Sequence, residues 1–260
     1  MSHSDSENTA AGCLAGRVIL VTGAGGAIGG AAARAFAAQG ASVVLLGRSL
    51  PPLEKVYDAI VQAGHPQPAI SPLDLATASP EDLQNIANMI HQEFGRLDGL
   101  LHAAATLGSL TPIEHFDAGL WARVIQVNLT APMLLTHACL PLLKAAADAA
   151  ILFSTSGVGK KGRAYWGAYG VAQAGIENLT EILADELEAN TRIRVNSIDP
   201  GPIRSRLRAL AYPGEDPNSL PEAESVIPAY LELMGPCGNT DTQNIRGQRI
   251  NAREYLTNHS

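Results

Sequence analysis

The sequence has few aromatic residues, an excess of acidic over basic ones, and no long apolar run. Aromatic side chains make up 5% of the 260 residues, and no apolar stretch approaches the roughly 20 residues that a membrane-spanning helix needs. The 18 Lys and Arg residues are outnumbered by 25 Asp and Glu residues, so the chain lacks the positive field that attracts a phosphate backbone. We therefore expect no membrane insertion and no nucleic-acid partner.

Cysteine is also scarce, with residues at positions 13, 139 and 237. An odd number of widely spaced cysteines, without a Cys-x-x-Cys pair, predicts neither a disulfide framework nor a zinc site. The seven histidines do not stand at ligand spacing with a second metal-type residue, so we expect no metal. Residues 1–13 are predicted to form a disordered tail that lacks the features of a signal peptide. These features together predict a cytoplasmic protein.

Short aliphatic or β-branched runs alternate with segments of helical periodicity along most of the chain, as in repeated βαβ units. The predicted strands are Val18 to Thr22, Ser42 to Leu46, Ala69 to Leu73, Gly99 to His102, Ala150 to Ser154, Arg194 to Ile198 and Gln248 to Ala252. The predicted helices are Ile28 to Gln39, Leu53 to Ala63, Pro80 to Phe94, Leu120 to Ala146 and Tyr169 to Ala189. This pattern predicts one α/β domain over residues 14–260, with a Rossmann-type doubly wound parallel sheet and helices on both faces.

The composition changes once, near the end of the predicted sheet. From Ala209 to Asn244 the sequence is rich in Pro, Gly and acidic residues and is interrupted by the apolar segment Val226 to Met234. We interpret residues at about 205–240 as a lid-like segment over a substrate pocket. A surface excursion with one packed helix is the alternative.

A glycine-rich turn follows the first predicted strand and leads into an alanine-rich helix. The turn runs from Thr22 to Gly30. A strand, a turn without side chains and a helix N-terminus together let backbone N–H groups approach a pyrophosphate. This context, more than the glycines alone, predicts nucleotide binding.

The order Thr-Gly-x-x-x-Ala-Ile-Gly in this turn resembles the first motif of the short-chain dehydrogenase/reductase family. Further family motifs follow in order, so the resemblance covers about residues 14 to 252. It implies a dinucleotide cofactor, a small-molecule carbonyl or alcohol substrate, and a homodimer or homotetramer built on the two longest predicted helices. In the turn itself, the resemblance implies that the bound dinucleotide contacts Gly23, Gly25, Ile28 and Gly29.

The end of the second predicted strand indicates which dinucleotide binds. NAD enzymes place an Asp or Glu there to bind the ribose hydroxyls, whereas this chain has Arg48 between Gly47 and Ser49. A guanidinium available for a 2′-phosphate favours NADP over NAD; a solvated loop charge is the alternative. The resemblance implies further cofactor contacts from Asp74, Leu75, Ala104, Pro200, Gly201, Ile203 and Ser205.

Carbonyl reduction needs a proton donor, a group that holds the substrate oxygen and a group that places the nicotinamide. Ser156 and Tyr169 stand at the spacing of the family's Ser and Tyr, so Ser156 would hold the oxygen and Tyr169 would act as the acid or base. Asn128 resembles the family's asparagine that anchors a water for proton relay; a polar residue satisfied inside a helix is the alternative. Tyr165 stands at the wrong distance from Ser156 and is predicted to form the pocket wall with Trp166.

The family's Tyr-x-x-x-Lys motif is altered, because Gln173 occupies the place of the lysine. Residues i and i+4 share a helix face, so Gln173 could still hydrogen-bond the nicotinamide ribose. Without a neighbouring cation the pKa of Tyr169 should stay near ~10, which suits a proton donor and not a base. Lys160 and Lys161 could lend positive charge from the preceding loop, although a solvated basic loop is the alternative.

A second departure lies after the fourth predicted strand, where the family's Asn-Asn-Ala-Gly is His102 to Ala105. Ala103 at this turn is expected to remove a structural hydrogen bond. The resemblance nevertheless implies an NADP(H)-dependent oxidoreductase that reduces a ketone or aldehyde to an alcohol with Tyr169 as proton donor. The alternative is a catalytically impaired dinucleotide-binding protein that serves as a sensor or interaction module.

Overall fold

The computed structural model describes residues 12–237 and 244–259, which fold around one parallel sheet. Its strands lie in the order β3-β2-β1-β4-β5-β6-β7. They are β1 (Val18–Thr22), β2 (Ser42–Gly47), β3 (Ala69–Pro72), β4 (Gly99–His102), β5 (Ala149–Ser154), β6 (Ile193–Asp199) and β7 (Arg249–Asn251). Every predicted strand is present, and the predicted Rossmann-type doubly wound sheet is confirmed.

The helices lie on both faces of this sheet. They are α1 (Ala27–Ala38), α2 (Leu50–Gln62), α3 (Pro80–Phe94), α4 (Ala118–Ile125), α5 (Ala131–Ala145), α6 (Gly157–Lys160), α7 (Gly167–Glu188), α8 (Arg206–Ala211), α9 (Ile227–Met234) and α10 (Ala252–Asn258). Residues of α1, α2, α9 and α10 form one buried core with one set of strand side chains. Residues of α3, α5 and α7 form a second core with the alternate strand side chains. Strands buried on both faces explain the nearly continuous apolar runs.

The predicted helix from Leu120 to Ala146 is interrupted. It consists of α4, a π-helical turn at Gln126–Thr130, and α5. Pro132 at the start of α5 has no N–H to donate to the Asn128 carbonyl four residues earlier, so an unbroken α-helical ladder is impossible there. The widened turn includes Asn128, one of the predicted site residues.

Cys13 and Cys237 form a disulfide, with Cα atoms 5.1 Å apart. The expectation of no disulfide is wrong, because these cysteines are separated by 224 positions and meet only in the folded chain. The bond ties the segment before β1 to the segment after α9. Cys139 is a buried free thiol, and burial raises its pKa to about 12. Residues 1–11 of the predicted disordered tail lie outside the described residues.

The predicted lid-like segment has two parts with different surroundings. Residues from Ser205 to Tyr212 lie along the cleft described below. In contrast, Val226, Ile227 and Tyr230 are buried in the core against α1 and β5, so the apolar half of the segment is structural and does not face a pocket. Residues 238–240 lie outside the described residues. Within the described ranges, no helix has the length and apolarity needed to cross a membrane.

Tyr165 is the one described non-glycine residue with a positive φ, at 74°. This left-handed conformation costs an L-residue about 1–2 kcal/mol, and asparagine tolerates it best after glycine. The Tyr165 side chain is 58% exposed, so little packing is lost when it is replaced. We expect Tyr165→Asn to raise the free energy of unfolding by about 1 kcal/mol in urea denaturation. Tyr165→Ala keeps the strain and should give no such gain; equal stabilities of the two variants would contradict the explanation.

Candidate active site

The candidate site is a cleft of about 1120 Å³ at the carboxyl ends of the strands. The strand order reverses between β1 and β4, and ligands of open α/β sheets bind at such a switch point. The cleft brings together most of the predicted site residues, namely Gly23, Gly25, Ile28, Arg48, Asp74, Leu75, Ala104, Ser156, Tyr169, Pro200, Gly201, Ile203 and Ser205. Gly29, Asn128 and Gln173 do not line it.

The glycines of the turn after β1 are required by close backbone contacts. Gly23 has a φ of +64°, and a Cβ there would lie 2.7 Å from the Ala104 backbone. A Cβ at Gly29 would lie 2.3 Å from the Gly23 carbonyl oxygen, so Gly29 packs beneath the turn. Gly26 caps α1 without a side-chain hydrogen bond. The first N–H groups of α1 therefore lie at the cleft without a capping side chain, as a pyrophosphate site requires.

Arg48 and Ser49 follow β2 at the edge of the cleft. Arg48 is exposed and forms no ion pair with the described residues. Ser49 precedes α2 but makes no capping hydrogen bond, and the first turn of α2 contains Pro51 and Pro52. Because proline has no N–H, an anion bound here would depend mainly on the side chains of Arg48 and Ser49.

Asp74 lies at the far end of the cleft from the candidate catalytic residues. Its carboxylate accepts a hydrogen bond from the Ala76 N–H at 3.1 Å and lies 3.6 Å from the Arg123 guanidinium. At the other end, Ser205 accepts a hydrogen bond from the Arg208 N–H and so begins α8. Both side chains are thus fixed by local structure beside the cleft.

The Thr22 side chain supports the turn after β4. The Thr22 hydroxyl accepts from the N–H of Ala103 at 3.1 Å and of Ala104 at 3.2 Å. These bonds involve backbone N–H groups, whereas the hydrogen bond that Ala103 was expected to remove needs a polar side chain at that position. His102 is buried, stacks on Phe153 and has its pKa lowered to about 3 by burial, so it stays neutral.

Ser156 and Tyr169 meet in the cleft. Ser156 follows β5, and Tyr169 lies in the first turn of α7 and is 5% exposed. Burial raises the pKa of the Tyr169 phenol to about 12; the Asp199 charge adds to this rise, and the Ser156 side chain opposes it by hydrogen bonding. The expectation of a pKa near 10 underestimated this burial. The phenol is consequently a protonated donor throughout the neutral range.

Asn128 holds a neighbouring loop through its side chain. Its amide group accepts from the Thr106 N–H at 2.8 Å and donates to the Thr106 carbonyl at 2.7 Å. Both ends of the side chain are therefore used structurally. The backbone carbonyl of Asn128 lies in the widened turn before Pro132.

Gln173 lies one turn after Tyr169 and is 3% exposed. Its Oε1 atom is buried and has no hydrogen-bond partner among the described residues. The buried Thr155 hydroxyl beside Ser156 is likewise without one. Lys160 and Lys161 are exposed, so the structure brings no buried lysine to Tyr169. Unpaired buried polar atoms are uncommon. Thr155 lines the cleft and fits a site that a polar ligand completes, whereas Gln173 does not line the cleft.

Two residues, Asp199 and Tyr165, escaped or differ from the sequence prediction of the cleft. Asp199, at the end of β6, lines the cleft although no role was predicted for it; its position at a strand end before Pro-Gly was the available signal. Trp166 lines the cleft as predicted, and its ring centroid lies 6.0 Å from that of Tyr212. Tyr165 does not line it and is 58% exposed, so the prediction that Tyr165 forms the pocket wall is wrong. Among the described residues, no cluster of His, Cys, Asp and Glu could hold a metal.

The chain matches known proteins over most of its length. The family model for short chain dehydrogenases matches residues 17–216. The uncharacterized oxidoreductase YciK of Escherichia coli K12 is 42% identical over 219 residues, which cover 84% of this chain and 86% of YciK. A structure from Pseudomonas syringae described as a short chain dehydrogenase has a TM-score of 0.89 and 51% identity, covering 93% of this chain and 96% of that one.

Similar structures have been solved with a nucleotide bound. A protein from Shigella flexneri 2a, described as a short chain dehydrogenase complexed with NADP, has a TM-score of 0.88 and 39% identity. The alignment covers 94% of this chain and 99% of that chain.

Proposed function

This chain belongs to the short chain dehydrogenase family, and from that premise we propose that it is an NADP(H)-dependent reductase of ketones or aldehydes. The observation that carries the proposal is the pair of Ser156 and Tyr169 in the cleft, with the Tyr169 phenol kept protonated. Family membership makes the chain an NAD(P)-dependent oxidoreductase. The direction of the reaction, the cofactor contacts and the identity of the proton donor are parts of the proposal.

The residues at the cleft fit a dinucleotide phosphate. The glycines from Gly23 to Gly29 let the turn pack closely on neighbouring backbone, and the N-terminus of α1 favours a pyrophosphate. Arg48 and Ser49 would hold the 2′-phosphate, with no acidic side chain after β2 to repel it. The Shigella relative with NADP supports this choice. NADPH, when bound, supplies the hydride.

Each catalytic side chain would act on the substrate oxygen or on the placement of the nicotinamide. The Ser156 hydroxyl would hold the carbonyl oxygen, and Tyr169 would donate its proton to that oxygen as negative charge develops. Gln173 does not line the cleft, so its side chain would have to turn toward the nicotinamide ribose before its unpaired Oε1 accepts a hydrogen bond there. The Asn128 carbonyl would bind a water that returns a proton to Tyr169.

The proposal is tested by titrating the purified protein with NADPH and NADH while following fluorescence or heat. A panel of ketones and aldehydes is then added with the nucleotide that binds. We expect NADPH to bind more tightly than NADH and to be oxidised with at least one carbonyl substrate. Binding without turnover, across substrates and pH, would favour the impaired dinucleotide-binding protein, for which the missing lysine is the supporting observation. Failure to bind either nucleotide would contradict both functions.

Gln173→Lys tests whether the site lacks only the positive charge of the family's lysine or is impaired in other ways. A neighbouring cation lowers a pKa by roughly 1–3 units, so we expect alcohol oxidation at pH 8 to rise about tenfold or more as Tyr169 deprotonates more readily. Gln173→Met, which has similar length and no charge, is the matched control and should give no rise. Oxidation rates that are equal in the lysine and methionine variants would contradict the assigned position of Gln173.

We also propose that copies of the chain associate through α5 and α7. The outer faces of these helices carry exposed apolar side chains, Met133 on α5 and Val171 and Ile182 on α7. The small residues Ala131 and Ala172 are instead buried within one subunit. Sedimentation at several protein concentrations tests whether a dimer or tetramer forms.

A further inference from the structure

An acidic side chain is fixed at the reacting end of the cleft. Asp199 ends β6 and lines the cleft between Ser156 and Gly201. Its carboxylate accepts the Gly201 N–H at 2.9 Å and also accepts the N–H of Gly157, the residue after Ser156. The carboxylate therefore links the loop that carries Ser156 to the loop after β6, and it cannot turn away without breaking these bonds.

The groups around Asp199 leave this end of the cleft short of positive charge. Glu177 on α7 acts on Asp199, and the charge of Asp199 contributes to the raised pKa values of Tyr169 on α7 and Tyr230 on α9. Arg253 on α10 is the cation that acts on Asp199, but it is exposed and donates to the Pro202 carbonyl. The family's lysine is absent, because Gln173 is neutral.

The two oxidation states of the cofactor differ in charge at one place. The nicotinamide ring carries a positive charge in NADP⁺ and none in NADPH, while the adenosine, phosphates and riboses are the same. A fixed carboxylate near a group favours its cationic form, and charges placed by the protein tune the electronics of a cofactor. Only the nicotinamide end distinguishes the two forms, and Asp199 lies at the same end as Tyr169.

We infer that the Asp199 carboxylate favours binding of NADP⁺ over NADPH and thereby makes the bound cofactor a stronger hydride donor. The inference rests on the proposed function, since it needs NADP(H) in the cleft. During reduction, hydride carries two electrons to the carbonyl carbon, and the oxygen takes the proton of Tyr169. The carboxylate stabilises the positive charge that remains on the cofactor. Asp199 thus assists hydride release by the cofactor, in a site where Gln173 replaces the family's lysine.

The test is an equilibrium measurement that needs no substrate. The dissociation constant of NADPH is measured from its fluorescence, and that of NADP⁺ by competition. A neighbouring charge changes the equilibrium between a charged and a neutral form by about 10- to 1000-fold. Because Asp199 is only half-buried, we expect an effect near the lower limit of this range. We expect Asp199→Asn to raise the ratio of Kd for NADP⁺ to Kd for NADPH about tenfold. A change smaller than about twofold would overturn the inference.

Two further variants make the result interpretable. Asp74→Asn removes a carboxylate at the opposite end of the same cleft, so it should change both dissociation constants alike and leave their ratio unchanged. Asp199→Ser is a second variant at the site. It also removes the charge but has a smaller side chain, in case the asparagine disturbs the contact with Gly157. The ratio of Kd for NADP⁺ to Kd for NADPH should rise in this variant too. If the unmodified protein binds neither nucleotide, the proposed function fails. If it binds both and the ratio does not move, the inference alone fails.

Discussion

Replacing Tyr169 by Phe should lower kcat for carbonyl reduction about a thousandfold, because a positioned general acid contributes roughly 10²–10⁴ to the rate. The substitution removes the phenol oxygen and keeps the ring that packs 5.8 Å from Trp166. Binding of NADPH should persist, so the loss should lie in kcat. Steady-state kinetics with a substrate from the carbonyl panel, together with NADPH titration, measure both quantities.

Tyr165→Phe is the matched control, since Tyr165 lies four residues earlier, is exposed and does not line the cleft. It should keep the activity of the unmodified protein. The pH dependence gives a second check. Reduction needs the protonated phenol, which is present below the Tyr169 pKa of about 12, so this group should cause no decline in rate between pH 6 and 10. A tenfold decline per unit above pH 7 would contradict the assignment of Tyr169 as an unassisted neutral donor.

Breaking the bond between Cys13 and Cys237 should give the largest change in stability. In the chain-entropy account, closing a loop restricts the unfolded chain, and the restriction grows with loop length. The 224-residue separation places this bond among long loops, so we expect Cys13→Ser with Cys237→Ser to lower the free energy of unfolding by about 3 kcal/mol. Thermal unfolding should show this as a decrease in Tm of roughly 6–12 °C.

A reducing agent distinguishes the bond from the side chains. Dithiothreitol should lower the Tm of the unmodified protein toward that of the double variant and leave the variant itself unchanged. Cys139 is free in both proteins and cannot account for the difference. An unmodified protein whose Tm is insensitive to the reductant, with the thiols shown by alkylation to be reduced, would contradict a stabilising role for the bond.

Features that depend on short stretches of sequence were predictable. Apolar runs such as Val18–Thr22 gave the strands because a strand covered on both faces needs apolar side chains throughout. The turn from Gly23 to Gly29 was predictable because close backbone contacts at a strand-to-helix turn exclude side chains. The candidate catalytic pair came from the resemblance to the family, because Ser156 and Tyr169 stand at the spacing of the family's Ser and Tyr.

Features that depend on distant contacts were not predictable from the sequence alone. Thr22 supports the turn at Ala103, although nothing in its local sequence shows which N–H groups its hydroxyl meets. The apolar residues around Tyr230 were ambiguous between pocket and core until their packing on α1 was known. The sequence shows that position 173 is a neutral Gln and position 199 an acidic Asp. The pKa of Tyr169 could not be predicted from this, because it depends mainly on how deeply the phenol is buried in the folded chain.

The disulfide also changes the topology of the molecule. Residues 13–237 form a covalent ring that contains β1 through β6 and the whole candidate cleft. A single cut in an exposed connection within this ring, such as the one near Tyr165, would open the ring without releasing a fragment. Both sides of the cleft would then remain parts of one covalently continuous molecule, which separates into two pieces only after reduction.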